Sequence, residues 1–130
     1  MSTIITFYTA ADDDAAEEPG PGRDAVRFEG FDVFASLEEW ESLLLDRSGD
    51  EVDGPEQVND EVSPIILAFL PRLAKALAAA NPAALGDLTR RWVAARAKDG
   101  ETLDPALARR VLDAVAALAR SRRKLYCQVA

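Results

Sequence analysis

Residues 64–71 read Pro-Ile-Ile-Leu-Ala-Phe-Leu-Pro, a short run that is almost entirely apolar. A run of this length fits either a buried strand or a buried helix. Pro71 decides between the two, because the residue before a proline is biased towards extended backbone and proline itself suits the first turn of a helix. We therefore predict a buried strand over residues 64–70, followed directly by a helix from Pro71 to Ala80.

Two capped helices and a strand are predicted after this point. The pairs Asn81-Pro82 and Asp104-Pro105 each place a capping side chain before a proline, which is a strong start signal for a helix. They predict helices over residues 82–97 and 105–122. The largely apolar residues 125–129, Leu-Tyr-Cys-Gln-Val, predict a closing strand.

The chain before the apolar run begins with a predicted strand over residues 2–9, which are mostly β-branched or aromatic. An acidic segment then predicts a short helix over residues 10–18, capped at Thr9 and ended by the Pro-Gly-Pro-Gly run at 19–22. Residues 24–30 alternate between apolar and polar, which predicts a strand with one solvated face.

A second acidic helix is predicted from the capping box Ser36-Leu37-Glu38-Glu39 to the stop at Ser48-Gly49. Trp40 lies on its apolar stripe, and Trp92 lies on the apolar stripe of the helix over 82–97. We expect both indole rings to be core residues, not binding residues.

These elements follow the order β-α-β-α-β-α-α-α-β. They predict one α+β domain over residues 1–130, with a small, mostly antiparallel sheet of about four strands packed against about five helices.

The residue types that are missing exclude most catalytic chemistry. The sequence has no histidine and a single cysteine, Cys127. Ser–His and Cys–His nucleophile pairs therefore cannot form, and the usual zinc ligand sets are not available. The acidic run at 12–18 lacks the spacing of a calcium loop, and no glycine-rich phosphate loop is present. We expect no cofactor and no metal, and the sequence favours a protein that is not an enzyme.

The location of the chain is predicted from three features. No apolar run reaches the roughly 18 residues that a membrane helix needs. The first residues do not have the pattern of a signal peptide. Cys127, as a lone thiol that we expect to be buried in the closing strand, fits a reducing compartment. We expect a cytoplasmic protein with no membrane partner.

Charge is divided along the chain. Residues 1–62 hold 18 acidic and 3 basic residues, a net charge of −15, and residues 63–130 hold 5 acidic and 12 basic residues, a net charge of +7. The overall charge of −8 disfavours binding to nucleic acid. The acidic connection over 49–62 is long for a compact domain, which suggests either a function or mobility.

We predict that this connection binds a basic protein partner, as an immunity or regulatory protein would. The predicted contact residues are its carboxylates Asp50, Glu51, Asp53, Glu56, Asp60 and Glu61. The alternative is a small ligand-binding protein or enzyme with a pocket of arginines and carboxylates. Self-association is a further alternative, because an acidic and a basic patch on one chain can dock head to tail.

Three stretches resemble the YfbM-like family of small uncharacterised bacterial proteins. Residues 37–45 resemble its Trp-containing helix, residues 70–77 resemble its strand-to-helix junction, and residues 125–129 resemble its closing strand. The chain lacks the family's usual glycine after the Trp-containing helix, and its middle region is shorter. The resemblance implies the α+β fold and a bacterial source, and it implies no activity.

Overall fold

The computed structural model describes residues 3–130, so Ser2 of the first predicted strand lies outside the described residues. The strands are β1 (Ile5–Ala10), β2 (Val26–Phe28), β3 (Glu56–Gln57), β4 (Ile65–Ala68) and β5 (Lys124–Val129). The helices are α1 (Asp13–Glu17), α2 (Val33–Leu45), α3 (Pro71–Ala79), α4 (Pro82–Lys98) and α5 (Pro105–Ala119), with a 3₁₀ turn at Gly49–Glu51. The α+β fold is as predicted.

The strands form one antiparallel sheet in the order β2-β1-β5-β4-β3. Its centre is the pairing of β1 with β5, which runs from Ile5 opposite Val129 to Ala10 opposite Lys124. Both central strands are buried on both faces. Phe7 and Cys127 point into the main core with α2 to α5, whereas Tyr8 and Tyr126 point to the other face, which α1 covers.

The two tryptophans are fully buried core residues, as predicted. Their rings meet edge to face with centroids 4.9 Å apart, and the Trp92 indole N–H donates to Ser36 Oγ at 3.0 Å. Cys127 is also fully buried, as predicted, and burial raises the pKa of its thiol.

The sheet has five strands where the sequence predicted about four. The additional strand, β3, pairs Glu56 with Ala68 and Gln57 with Leu67. Both β3 residues are polar and exposed, so the strand has no apolar alternation that a sequence pattern can reveal. Its pairing with β4 is what makes it a strand.

Helix α2 begins three residues before the predicted capping box. Asp32 is its N-cap and accepts from the Ala35 amide, while Ser36 lies inside the helix and donates its hydroxyl to the Asp32 carbonyl at 2.6 Å. The helix ends at Leu45, before the predicted stop, because Asp46 adopts the left-handed conformation that terminates helices.

The other predicted boundaries are close. Helix α1 is shorter than predicted because residues 9 and 10 stay in β1, and its cap is Asp12, not Thr9. Asn81 and Asp104 cap α4 and α5 through their side chains, as predicted. Within residues 3–130, no helix combines the length and apolar character needed to cross a bilayer.

A buried guanidinium joins α2 to α4. The Arg96 side chain is 3% exposed and binds both oxygens of Glu39, at 2.8 and 2.9 Å. It also contacts Asp99 and Glu101, and the second oxygen of Glu101 accepts from the Asp32 amide at the start of α2. Arg96 therefore fixes the packing of two helices and the turn after α4.

Replacing Arg96 with methionine should strongly destabilise the fold. The apolar stem is kept, but Glu39 and Glu101 lose their counter-charge in a largely buried site, which should cost about 3 kcal/mol of unfolding free energy. Urea denaturation followed by circular dichroism measures this loss. Arg90→Met on the exposed side of the same helix is the control and should change stability little. Equal losses in the two variants would contradict the role of Arg96.

Two phenols attach α1 to the sheet. The rings of Tyr8 and Tyr126 stack with centroids 5.8 Å apart. Tyr8 donates to the Ala16 carbonyl and Tyr126 donates to the Asp13 carboxylate, both at 2.7 Å. Burial is the main cause that raises the pKa of Tyr8 to about 12, and the negative charge of Glu17 adds to it. Burial and the bond to Asp13 raise the pKa of Tyr126 as well.

The protein should lose stability in alkali. The folded state holds both phenols neutral, so stability is complete below the ordinary phenol pKa of about 10 and falls as the pH rises through about 12. Tyr8 alone should contribute about 2 kcal/mol to this fall. Thermal melts across this range should show a smaller pH dependence for Tyr8→Phe than for the wild type. An identical dependence would mean that Tyr8 does not titrate with folding.

Candidate functional site

The acidic connection is held by a buried carboxylate on α2. Glu41 is 1% exposed, and its two oxygens accept from the backbone amides of Asp53 and Gly54, each at 2.9 Å. Arg47 forms ion pairs with Glu41 at 3.1 Å and with Asp53 at 2.9 Å, so it also links α2 to the acidic connection. These contacts fix the 3₁₀ turn and the chain that leads into β3.

The connection between β3 and β4 is held by two amide side chains. Asn59 is buried, accepts from the Ile66 amide at 2.9 Å and donates to the Pro64 carbonyl at 2.8 Å. Gln57 donates to the Glu61 carbonyl at 2.9 Å. These bonds define a short turn over residues 60–63, which we call the acidic tip.

The acidic tip carries an apolar side chain in full contact with solvent. Val62 is 91% exposed and directly follows the exposed carboxylates Asp60 and Glu61. A valine with this exposure contributes almost no burial free energy to folding. Burial of its side chain against a partner is worth about 1.5 kcal/mol or more.

The six predicted contact residues occupy four different places. Asp50 and Glu51 lie on the exposed 3₁₀ turn, and Asp60 and Glu61 lie on the acidic tip. Asp53 pairs with Arg47 and belongs to the anchor of the connection, so its charge is partly neutralised. Glu56 lies on β3 beside a cavity at the other end of the sheet. The connection thus presents two carboxylate pairs and not one continuous surface.

The cavity has a volume of about 370 Å³ and carries charges of both signs. Its basic side chains are Arg122, Arg123 and Lys124, which precede and begin β5, and its acidic side chains are Asp13 and Glu56. Its accessible apolar surface includes Ala68, Pro71 and Ala74. Strand β4 runs from the acidic tip to this cavity, and its four residues span about 13 Å.

Three important residues were missed in the sequence. Glu41 follows Leu37 by four residues and so lies on the apolar stripe of its helix, and Arg96 follows Trp92 in the same way. A charged residue in that phase is a signal for a buried ion pair. Val62 carried no such signal, because the exposure of a loop residue depends on the turn that holds it.

Comparison with known proteins gives no relatives: no family model, no curated protein and no solved structure matches the chain. The resemblance to the YfbM-like family therefore stays a prediction. Within residues 3–130, no group of three or more acidic or cysteine side chains is arranged to hold a metal ion.

Replacing Glu41 with glutamine should loosen the connection. One carbonyl oxygen cannot replace two carboxylate oxygens, so Arg47 loses the charge of one of its two carboxylate partners. At least one of the two amides also loses its acceptor, at a cost of about 1–3 kcal/mol. Hydrogen exchange should accelerate at Asp53 and Gly54. Glu18→Gln, which changes an exposed carboxylate at the end of α1, is the control. Unchanged exchange at these amides would show that Glu41 does not order the connection.

Proposed function

We propose that the chain is an interaction protein that binds a basic protein partner through the acidic tip. The observation that supports this most is Val62, which is 91% exposed beside two carboxylates in a turn held by Asn59 and Gln57. Protein interfaces surround their apolar contacts with a polar rim, and the acidic tip would supply one such contact.

The two kinds of residue would have different roles. Asp60 and Glu61 would attract and orient a basic partner, because complementary charge mainly accelerates association. Val62 would be buried in the complex and would slow dissociation. Since the turn is already held by side-chain bonds, little conformational entropy would be lost on binding. Asp50 and Glu51 would extend the negative field along the same connection.

The proposed compartment is the reducing cytoplasm. Its support is the single cysteine, which is buried as a free thiol in the central strand. The proposed partner would accordingly be an intracellular protein with a basic surface and a small apolar socket.

Capture on immobilised protein tests the proposed function. A basic partner retained by the wild type should be released by salt, and its affinity should fall about tenfold in both Asp60→Asn/Glu61→Gln and Val62→Ser. Binding kinetics should separate the roles: the charge variant associates more slowly, and Val62→Ser dissociates faster. The matched control, Glu17→Gln/Glu18→Gln, removes two exposed charges from the end of α1 and should bind like the wild type.

Three results would contradict this function. They are the absence of any retained basic protein, retention that salt does not change, and equal retention by the acidic-tip variants and the control. Light scattering at low and high salt should be run on the same samples, because retention of a second copy of this chain would indicate head-to-tail self-association instead.

A further inference from the structure

The cavity at the opposite end of the sheet from the acidic tip combines three kinds of surface. Arg122, Arg123 and Lys124 follow one another in sequence, and within residues 3–130 none of them forms an ion pair with a carboxylate. Three adjacent cations repel each other, so an anionic group placed among them would be stabilised by all three.

The carboxylates of the cavity lie on other elements. Glu56 on β3 lies opposite Ala68 and, one strand further, Tyr126, so its backbone is about 12 Å from that of Lys124, which precedes Tyr126 by two residues. Asp13, on α1, keeps one oxygen on the Tyr126 phenol at 2.7 Å. A ligand with only negative charge would be repelled by these two groups, whereas a ligand with a positive group would gain from them.

The rest of the lining is apolar. Ala68, Pro71 and Ala74 leave apolar surface open to the cavity, whereas Phe69 and Leu125 border it with side chains that are packed in the main core. The volume of 370 Å³ is at the small end of the range of about 300–1,000 Å³ for ligand pockets. The size suits a ligand with one modest apolar group.

We propose that this cavity binds a small zwitterion with an apolar side chain, the chemistry of a free α-amino acid. The carboxylate faces Arg122, Arg123 and Lys124, and the ammonium group faces Glu56 and Asp13. The side chain packs towards Ala68, Pro71 and Ala74. This proposal does not depend on the protein partner, because the acidic tip lies at the other end of β4.

Titration of the labelled protein followed by amide chemical shifts tests the ligand class with three related probes. L-phenylalanine carries both charges, N-acetyl-L-phenylalanine lacks the ammonium group, and L-phenylalaninamide lacks the carboxylate. L-phenylalanine should give saturable shifts in residues 69–74 and 122–125. Each of the other probes should bind about fivefold more weakly, as expected from the loss of charge contacts at a partly exposed site.

Two variants assign the charges. Arg122→Gln/Arg123→Gln should weaken L-phenylalanine binding about fivefold, whereas the matched pair Arg90→Gln/Arg91→Gln, exposed on α4, should leave it unchanged. Glu56→Gln should weaken the binding of L-phenylalanine but not that of N-acetyl-L-phenylalanine. This difference separates an ammonium contact from a general disturbance of the cavity, which would affect both probes.

The proposal is overturned if no probe gives saturable shifts in these residues, or if N-acetyl-L-phenylalanine binds as tightly as L-phenylalanine. It is also overturned if Glu56→Gln weakens both probes equally. Asp60→Asn/Glu61→Gln should bind L-phenylalanine like the wild type, so failure of the partner site and failure of the cavity are told apart.

Discussion

The pairing of β1 with β5 brings the two ends of the chain together at the centre of the sheet. Both strands are buried on both faces, so four helices must cover one face and α1 must cover the other. The antiparallel order then decides what each end of the sheet presents. The start of β5, the end of β4 and the start of β3 meet at the cavity, and the turn between β3 and β4 projects at the opposite end.

Buried polar side chains hold the connecting segments that do not pair in the sheet. Arg96 fixes the turn after α4 against the start of α2, and Glu41 fixes the acidic connection against the same helix. Asn59 performs the same task for the acidic tip. Each of these groups is satisfied by several partners, because a buried polar group without partners would destabilise the fold. The positions of the exposed carboxylates are therefore set by buried side chains, Glu41 and Asn59.

Much of the helical part could be predicted from local signals. The caps Asn81 and Asp104 act through their own side chains, and Pro71 separates β4 from α3 as the rules for proline require. β3 could not be predicted, because two polar residues become a strand only through pairing with β4. The capping box at Ser36 was misleading because Asp32, which lies earlier, supplies the same kind of cap. The cavity depends on four segments that are distant in sequence, so no local pattern could predict it.

The proposed function depends most on an acidic tip that is ordered in the free protein. Backbone ¹⁵N relaxation of residues 58–64 measures this directly in the free protein. The bonds of Gln57 and Asn59 predict order parameters of about 0.85 at Asp60, Glu61 and Val62, like those of the neighbouring strands. Order parameters below about 0.6 at these positions would contradict the account, because the carboxylates and Val62 would then have no fixed arrangement to offer a partner.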